Sequence, residues 1–200
     1  MRKILLALAA SCVCGPAMAG EVTVDVRDQM GRPVHDAVVI VRPTAGVAPG
    51  KPLTVSWPLV MAQQNIAFQP YVLIVPLGST VSFPNRDKVR HHVYSFSTAK
   101  RFELKLYGKD ESRTVIFDKP GVVPLGCNIH DSMIAFIYVT DVPYAAKTGA
   151  DGQAVVPDVP SGAATLTVWH PDLKARTPFT RPVQIAATAL HTAAAIELKP

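Results

Sequence analysis

Residues 121–139, GVVPLGCNIHDSMIAFIYV, open and close on apolar runs and hold Cys127, His130 and Met133 between them. The β-branched and aromatic content of both runs predicts a strand ending at Cys127, a short loop carrying His130, and a second strand beginning at Met133. A short connection of this kind can aim all three side chains at one point. Thiolate, imidazole and thioether form a soft to borderline donor set, suited to copper that cycles between two oxidation states. Singly, each residue has a plainer reading: a strand cysteine or methionine is ordinary core, and a single histidine is seldom a ligand. It is the grouping that points to a metal.

The N-terminus changes how Cys127 is read. Met1-Arg2-Lys3 is positive, Ile4 to Cys14 is apolar, and Ala17-Met18-Ala19 has the small-x-small form of a cleavage site. The apolar run is too short to span a bilayer. Residues 1–19 are therefore expected to be a signal peptide, with export to a bacterial periplasm. A lipoprotein anchored at Cys12 fits less well, because Ala9-Ala10-Ser11 lacks the usual leucine three residues before the cysteine. Cleavage removes Cys12 and Cys14 and leaves Cys127 alone in an oxidising compartment, where it must be buried, paired with another chain, or held as a metal thiolate. It also removes Arg2 and Lys3, lowering the formal charge from +5 to +3, far from a nucleic-acid-binding profile.

About 180 residues remain, enough for one large or two small domains. Prolines (18) and glycines (12) cut the chain into short runs, which favours an all-β protein. EVTVDVR (21–27) alternates, DQMGRP (28–33) is a turn, and AVVIV (37–41) is a second strand, together a hairpin-like start. Residues 44–60 read as a connection. Seven strand candidates then follow closely: 72–75, 79–83, 91–97, 101–107, 113–118, 121–127 and 133–141. That spacing suits a compact Greek-key sandwich. No segment has a convincing helical repeat, although the alanine-rich stretch 185–195 is ambiguous. Beyond Asp141, a TGADG turn precedes QAVVPDV, ATLTVWHP, RPVQIA and TAAAIELK.

These outer pieces (strand, D-x-x-G-x-P-V, A-x-V-x-V, then T-x-x-D-G and a V-P-x-G turn) resemble transthyretin-like or carboxypeptidase-regulatory-like sandwiches. The resemblance implies a discontinuous sandwich, 20–58 plus 142–200, into which residues 59–141 are inserted. Two successive domains with a separate N-terminal strand pair are the alternative.

A trigonal copper site needs a second imidazole from elsewhere. Phe83-Pro84-Asn85-Arg86-Asp87-Lys88-Val89-Arg90-His91-His92-Val93 offers strand, polar loop and histidine in the required order. Neighbouring strand residues face opposite sides, so only one of His91 and His92 can reach the metal without a bulge. The pattern alone leaves open which one.

Both segments resemble the cupredoxins, amicyanin-type in spacing, over about residues 66–140. In that family an aromatic-x-Asn-x-acid-x-x-x-His-Asn-Val segment and a Cys-x-x-His-x-x-Met loop supply the ligands. The resemblance implies an all-β Greek-key cupredoxin sandwich holding one copper ion through His91, Cys127, His130 and Met133. It further implies a carrier of single electrons between redox partners, not an enzyme. Order and spacing are also similar to periplasmic proteins labelled methylamine utilisation proteins. Two departures stand out: His92 replaces the family's asparagine after the first histidine, and Asp131 replaces the proline after the second. His35, His170 and His191 read as ordinary turn or surface histidines. No GxSxG, HExxH, GxGxxG or P-loop pattern and no His-x-His pair is present, which weighs against hydrolase, dinucleotide, nucleotide and multicopper chemistry. Arg86, Lys88, Arg90, Lys100, Arg101 and Lys105 form a basic edge, read first as a solvated surface and alternatively as a docking face for an acidic redox partner. A copper-handling protein that delivers Cu(I), or an adaptor docking to a periplasmic complex, is the competing function.

Overall fold

The computed structural model describes residues 19–47 and 53–200. The expected signal peptide lies outside the described residues except for Ala19, which already belongs to the first strand. Sixteen strands, and no helix, make up the described residues. Strands β1 (Ala19–Arg27) and β2 (Val38–Pro43) come first. The short β3 (Ala62–Gln63) and β4 (Phe68–Gln69) precede β5 (Val72–Pro76), β6 (Thr80–Pro84) and β7 (His91–Phe96). Next are β8 (Arg101–Tyr107), β9 (Ser112–Ile116), β10 (Gly121–Gly126) and β11 (Ile134–Thr140). The chain ends with β12 (Ala145–Lys147), β13 (Gln153–Pro160), β14 (Gly162–Trp169), β15 (Phe179–Ile185) and β16 (Ala189–Ala195). The ambiguous alanine-rich segment is thus a strand, pairing in parallel with β1.

The N-terminal pair is not a hairpin, which corrects the sequence reading. β1 lies between β13 and β16, while β2 sits in a different sheet ordered β12-β2-β14-β15. The reason is visible in β2, where Val38, Val39, Ile40 and Val41 are all buried. A run apolar on both faces needs neighbours on both edges and cover on both sides, which a hairpin partner cannot supply. Between the two strands Asp28 holds the turn, its carboxylate accepting hydrogen bonds from Met30 N, Arg32 N and Arg32 Nε.

The chain leaves this pair of sheets after β2 and returns at β12, and those strands are antiparallel neighbours (Ala145 opposite Ile40). An Arg42–Asp141 ion pair at 2.6 Å lies at the same place. Thr148 Oγ1 completes the closure, accepting from Ala37 N and donating to Val34 O. Between exit and return, a five-stranded sheet ordered β5-β11-β10-β7-β8 faces the β6–β9 pair.

Strands β5 and β11 serve two cores through their two-residue period. Leu73 and Val75, with Ala135, Ile137 and Val139, point into the cluster that also holds Cys127 and Met133. Val72, Ile74, Phe136 and Tyr138 point the other way, into the core built by the outer strands. Trp169 at the end of β14 meets Phe136 and Tyr138 at ring separations of 5.8 and 5.4 Å. Trp57 packs against both cores and donates its indole N–H to Ile74 O. Each fully buried aliphatic side chain on this wall contributes roughly 1.5–3 kcal/mol, so the inner sheet is fused to the outer strands.

Candidate metal centre

The cluster forms where β7 begins and where β10 gives way to β11. Pairing along Gly121–Gly126 with Ile134–Val139 leaves residues 127–133 as the connecting loop, closed by Met133 N donating to His130 O at 3.0 Å. This loop is one residue longer at each end than expected, since β10 ends at Gly126 and β11 begins at Ile134, leaving Cys127 and Met133 just outside the strands. His91 opens β7 and is wholly buried, Cys127 is buried, and His130 is half-buried. One donor atom from each lies within 4.8 Å of the others. Cys127 Sγ is 3.7 Å from His130 Nδ1, and the two imidazoles stand 5.0 Å apart at 56°. Met133 is 1% exposed and packs in the core cluster that contains Cys127.

The first-histidine loop is fixed by two polar side chains. Asn85 donates to Val89 O and Tyr107 O and accepts from Asp87 N. Asp87 accepts from Asn65 N, Ile66 N and His91 Nε2, the last at 2.8 Å. Burial alone would raise the Asp87 pKa, but the bonds from Ile66, His91 and Asn65 outweigh it and hold the carboxyl below its ordinary value. With Nε2 so occupied, His91 Nδ1 is left buried with no hydrogen-bond partner. Burying an unmet polar atom is costly, and a cation among these donors would satisfy it. The residues therefore fit a metal ion, and a carboxylate behind the imidazole is the usual support for a ligating histidine.

His92 turns away from the cluster. Its Nε2 meets Glu103 Oε1 at 2.9 Å and its ring lies 5.8 Å from Tyr94. The extra residue that β8 carries between the partners of His91 and Val93 does not bring it back. Bracing of the first loop thus passes through Asn85 and Asp87, and His92 bonds to β8 rather than to the Cys127 loop. Asp131 is exposed and makes no ion pair with His130 among the described residues.

Two supporting residues carried no usable sequence signal. Gly126 lies against Tyr94, and a Cβ at Gly126 would fall 2.7 Å from that ring, so the glycine lets Tyr94 close over the backbone beside Cys127. Tyr107, opposite His91, is buried with its hydroxyl 2.5 Å from Gln63 Oε1 and 2.9 Å from Phe83 O. Burial raises its pKa well above the ordinary tyrosine value.

The other histidines lie outside the cluster. His35 and His191 are exposed; His170 is buried and lies at a turn, its carbonyl accepting from Leu173 N. His170 Nδ1 accepts from Asp172 N at 3.1 Å, and burial lowers its pKa against the opposing pull of the Asp172 carboxylate. A folded-state value below the unfolded one means stability is full above about pH 6.5 and is lost as pH falls below it. The urea midpoint is expected to drop more between pH 7 and 5.5 in the wild type than in His170→Gln. Equal pH slopes for the two proteins would refute that assignment.

The His91, Cys127 and His130 donors, set in an all-β fold, fit a type 1 copper site. No family model matches the sequence, and no curated protein matches it. Among solved structures, the chain is similar to the Cu-containing nitrite reductase from Thermus scotoductus SA-01 at 28% identity, covering 50% of this chain and 25% of that one, with a TM-score of 0.40. It therefore spans about a quarter of that enzyme's length. A reduced single-substitution variant of amicyanin is similar at 21% identity, covering 52% of this chain and 99% of that one, with a TM-score of 0.38. An oxidised variant of amicyanin gives 22% identity over the same shares and the same TM-score of 0.38. No described helix is long and apolar enough to cross a membrane.

Proposed function

We propose that this chain is an exported, periplasmic carrier of single electrons that would hold one copper ion through His91, Cys127, His130 and Met133. The observation that carries the reading is the buried His91 Nδ1, partnerless while Asp87 holds Nε2, in a group with a cysteine and a second imidazole. Bound copper would gain and lose one electron. Cys127 would supply a thiolate, anchored at the start of the loop that follows β10. Asp87 fixes the His91 ring before metal arrives, and the packing of Met133 keeps water from that side. Such bracing favours small reorganisation between the two redox states. His130, half-buried, is the imidazole through which an electron leaves.

The surroundings suit outer-sphere exchange with a protein partner. Ile66, Val89, Ile129 and Ile134 are exposed apolar side chains on segments adjoining the ligands. Arg86, Lys88 and Arg90 are exposed on the first-histidine loop, and complementary charge would steer an acidic partner. Exchange with an anionic redox probe such as hexacyanoferrate is expected to slow as salt rises and to lose that dependence in Lys88→Glu/Arg90→Glu. A rate flat from low to high ionic strength would remove the basic face from the account.

The discontinuous division, 20–58 plus 142–200 around 59–141, is part of this proposal and is supported by the pairing of β2 with β12. The fused outer sheets favour one second reading, a copper-handling or adaptor protein, because a minimal carrier does not need them. Tight binding of Cu(I) with rejection of Cu(II) would move that reading ahead. A role in methylamine utilisation remains a proposal by resemblance only.

A further inference from the structure

A cavity of about 650 Å³ lies where the outer strands meet the inner sheet, away from the metal-type donors. Trp57, Val60, Pro70 and Val155 form its walls, and Val72 and Ile74 its floor. The volume and the apolar lining match small-molecule sites, which favour junctions between packed units.

Its charge is one-sided. Arg86 and Lys147 line it, and among the described residues no Asp or Glu does. Lys147 is already engaged, with Asp36 as ion-pair partner and Val72 O accepting from Nζ at 3.0 Å. Arg86 is exposed and meets no carboxylate among the described residues; its Nη1 reaches only Gln64 Oε1, at 3.4 Å. A guanidinium without a carboxylate, beside an apolar hollow, recognises a planar anion on an apolar body.

We propose that this cavity binds a small amphipathic carboxylate, its apolar body between Trp57, Val60 and Val155 and its carboxylate on Arg86. The site is distinct from the metal centre and needs no metal. Such a ligand touches β13 and the first-histidine loop together, so occupancy ties the outer strands to the segment that positions His91. The backbone link is short, since Arg86 N donates to Gln63 O and the next residue is Asp87.

Isothermal titration of the metal-free mature protein with decanoate, below its micelle concentration, tests the proposal. Decylammonium, with the same tail and opposite charge, is the control. One decanoate per chain is expected, with decylammonium at least about tenfold weaker. Arg86→Gln should weaken decanoate about tenfold, the loss of one charge-assisted contact. Val155→Trp, at a residue 46% exposed on the wall, should block binding while leaving the fold intact by circular dichroism. Absence of saturable decanoate binding, equal binding of both amphiphiles, or unchanged affinity in both variants would each overturn the proposal.

Discussion

Cys127→Ala is expected to lose copper affinity by more than the roughly 10–100-fold that follows loss of a mere supporting partner. The thiolate is the only sulfur anion the described residues offer, and the other two donors are imidazole nitrogens. Losing it leaves His91 and His130 to hold the ion without its strongest donor. The fold should barely register the change. Cys127 is a small buried side chain, and its truncation in the metal-free protein should cost about 1 kcal/mol. Competition with a chelator measures the affinity and urea unfolding measures the stability. A large stability loss with unchanged copper affinity would make Cys127 a packing residue.

Asp87→Ala should do the reverse, weakening fold and site together. Asn65 and Ile66 both have positive φ, 58° and 54°, a conformation that is unfavourable for a β-branched residue in particular. The Asp87 carboxylate holds that turn through both backbone N–H groups, at 2.7 and 2.9 Å, and holds His91 from its third contact. Removing it strands two amides and frees the imidazole, at a cost of about 2–4 kcal/mol. Copper affinity should fall by about 10–100-fold because His91 loses its carboxylate support. Asp87→Asn should recover part of the stability loss. Its amide offers one acceptor oxygen where the carboxylate offers two, so not all three contacts can be kept and the affinity stays reduced. Unchanged metal affinity in both variants would separate Asp87 from the site. Because the folded Asp87 pKa is depressed, its contribution is present above the ordinary value and disappears as pH falls through the lowered one.

Local pattern made much of this legible. Alternation and turn residues marked most strands, and the spacing of Cys127, His130 and Met133 placed them on one strand connection. The strand pattern alone did not choose between His91 and His92, because a two-residue period states that they oppose each other but not which faces inward; only the family resemblance pointed to His91. Asp87 decides it, by a contact across the loop. The separation of β1 from β2 was also hidden, since it depends on pairings with β13, β14 and β16 from the far end of the chain. A signal did exist for the shared wall. VLIV (72–75) is unbroken rather than alternating, the mark of a strand covered on both faces. Gly126 and Tyr94 met without warning, because a close approach between strands leaves no trace in either segment alone.

The visible absorption spectrum of the mature protein loaded with one equivalent of Cu(II) tests the central claim most directly. An intense thiolate-to-copper band is predicted, absent in Cys127→Ala, lost or shifted in His91→Ala, and kept in His92→Ala. Cu(II) bound with only weak absorption, or a band that survives Cys127→Ala, would contradict a copper site built on His91, Cys127 and His130.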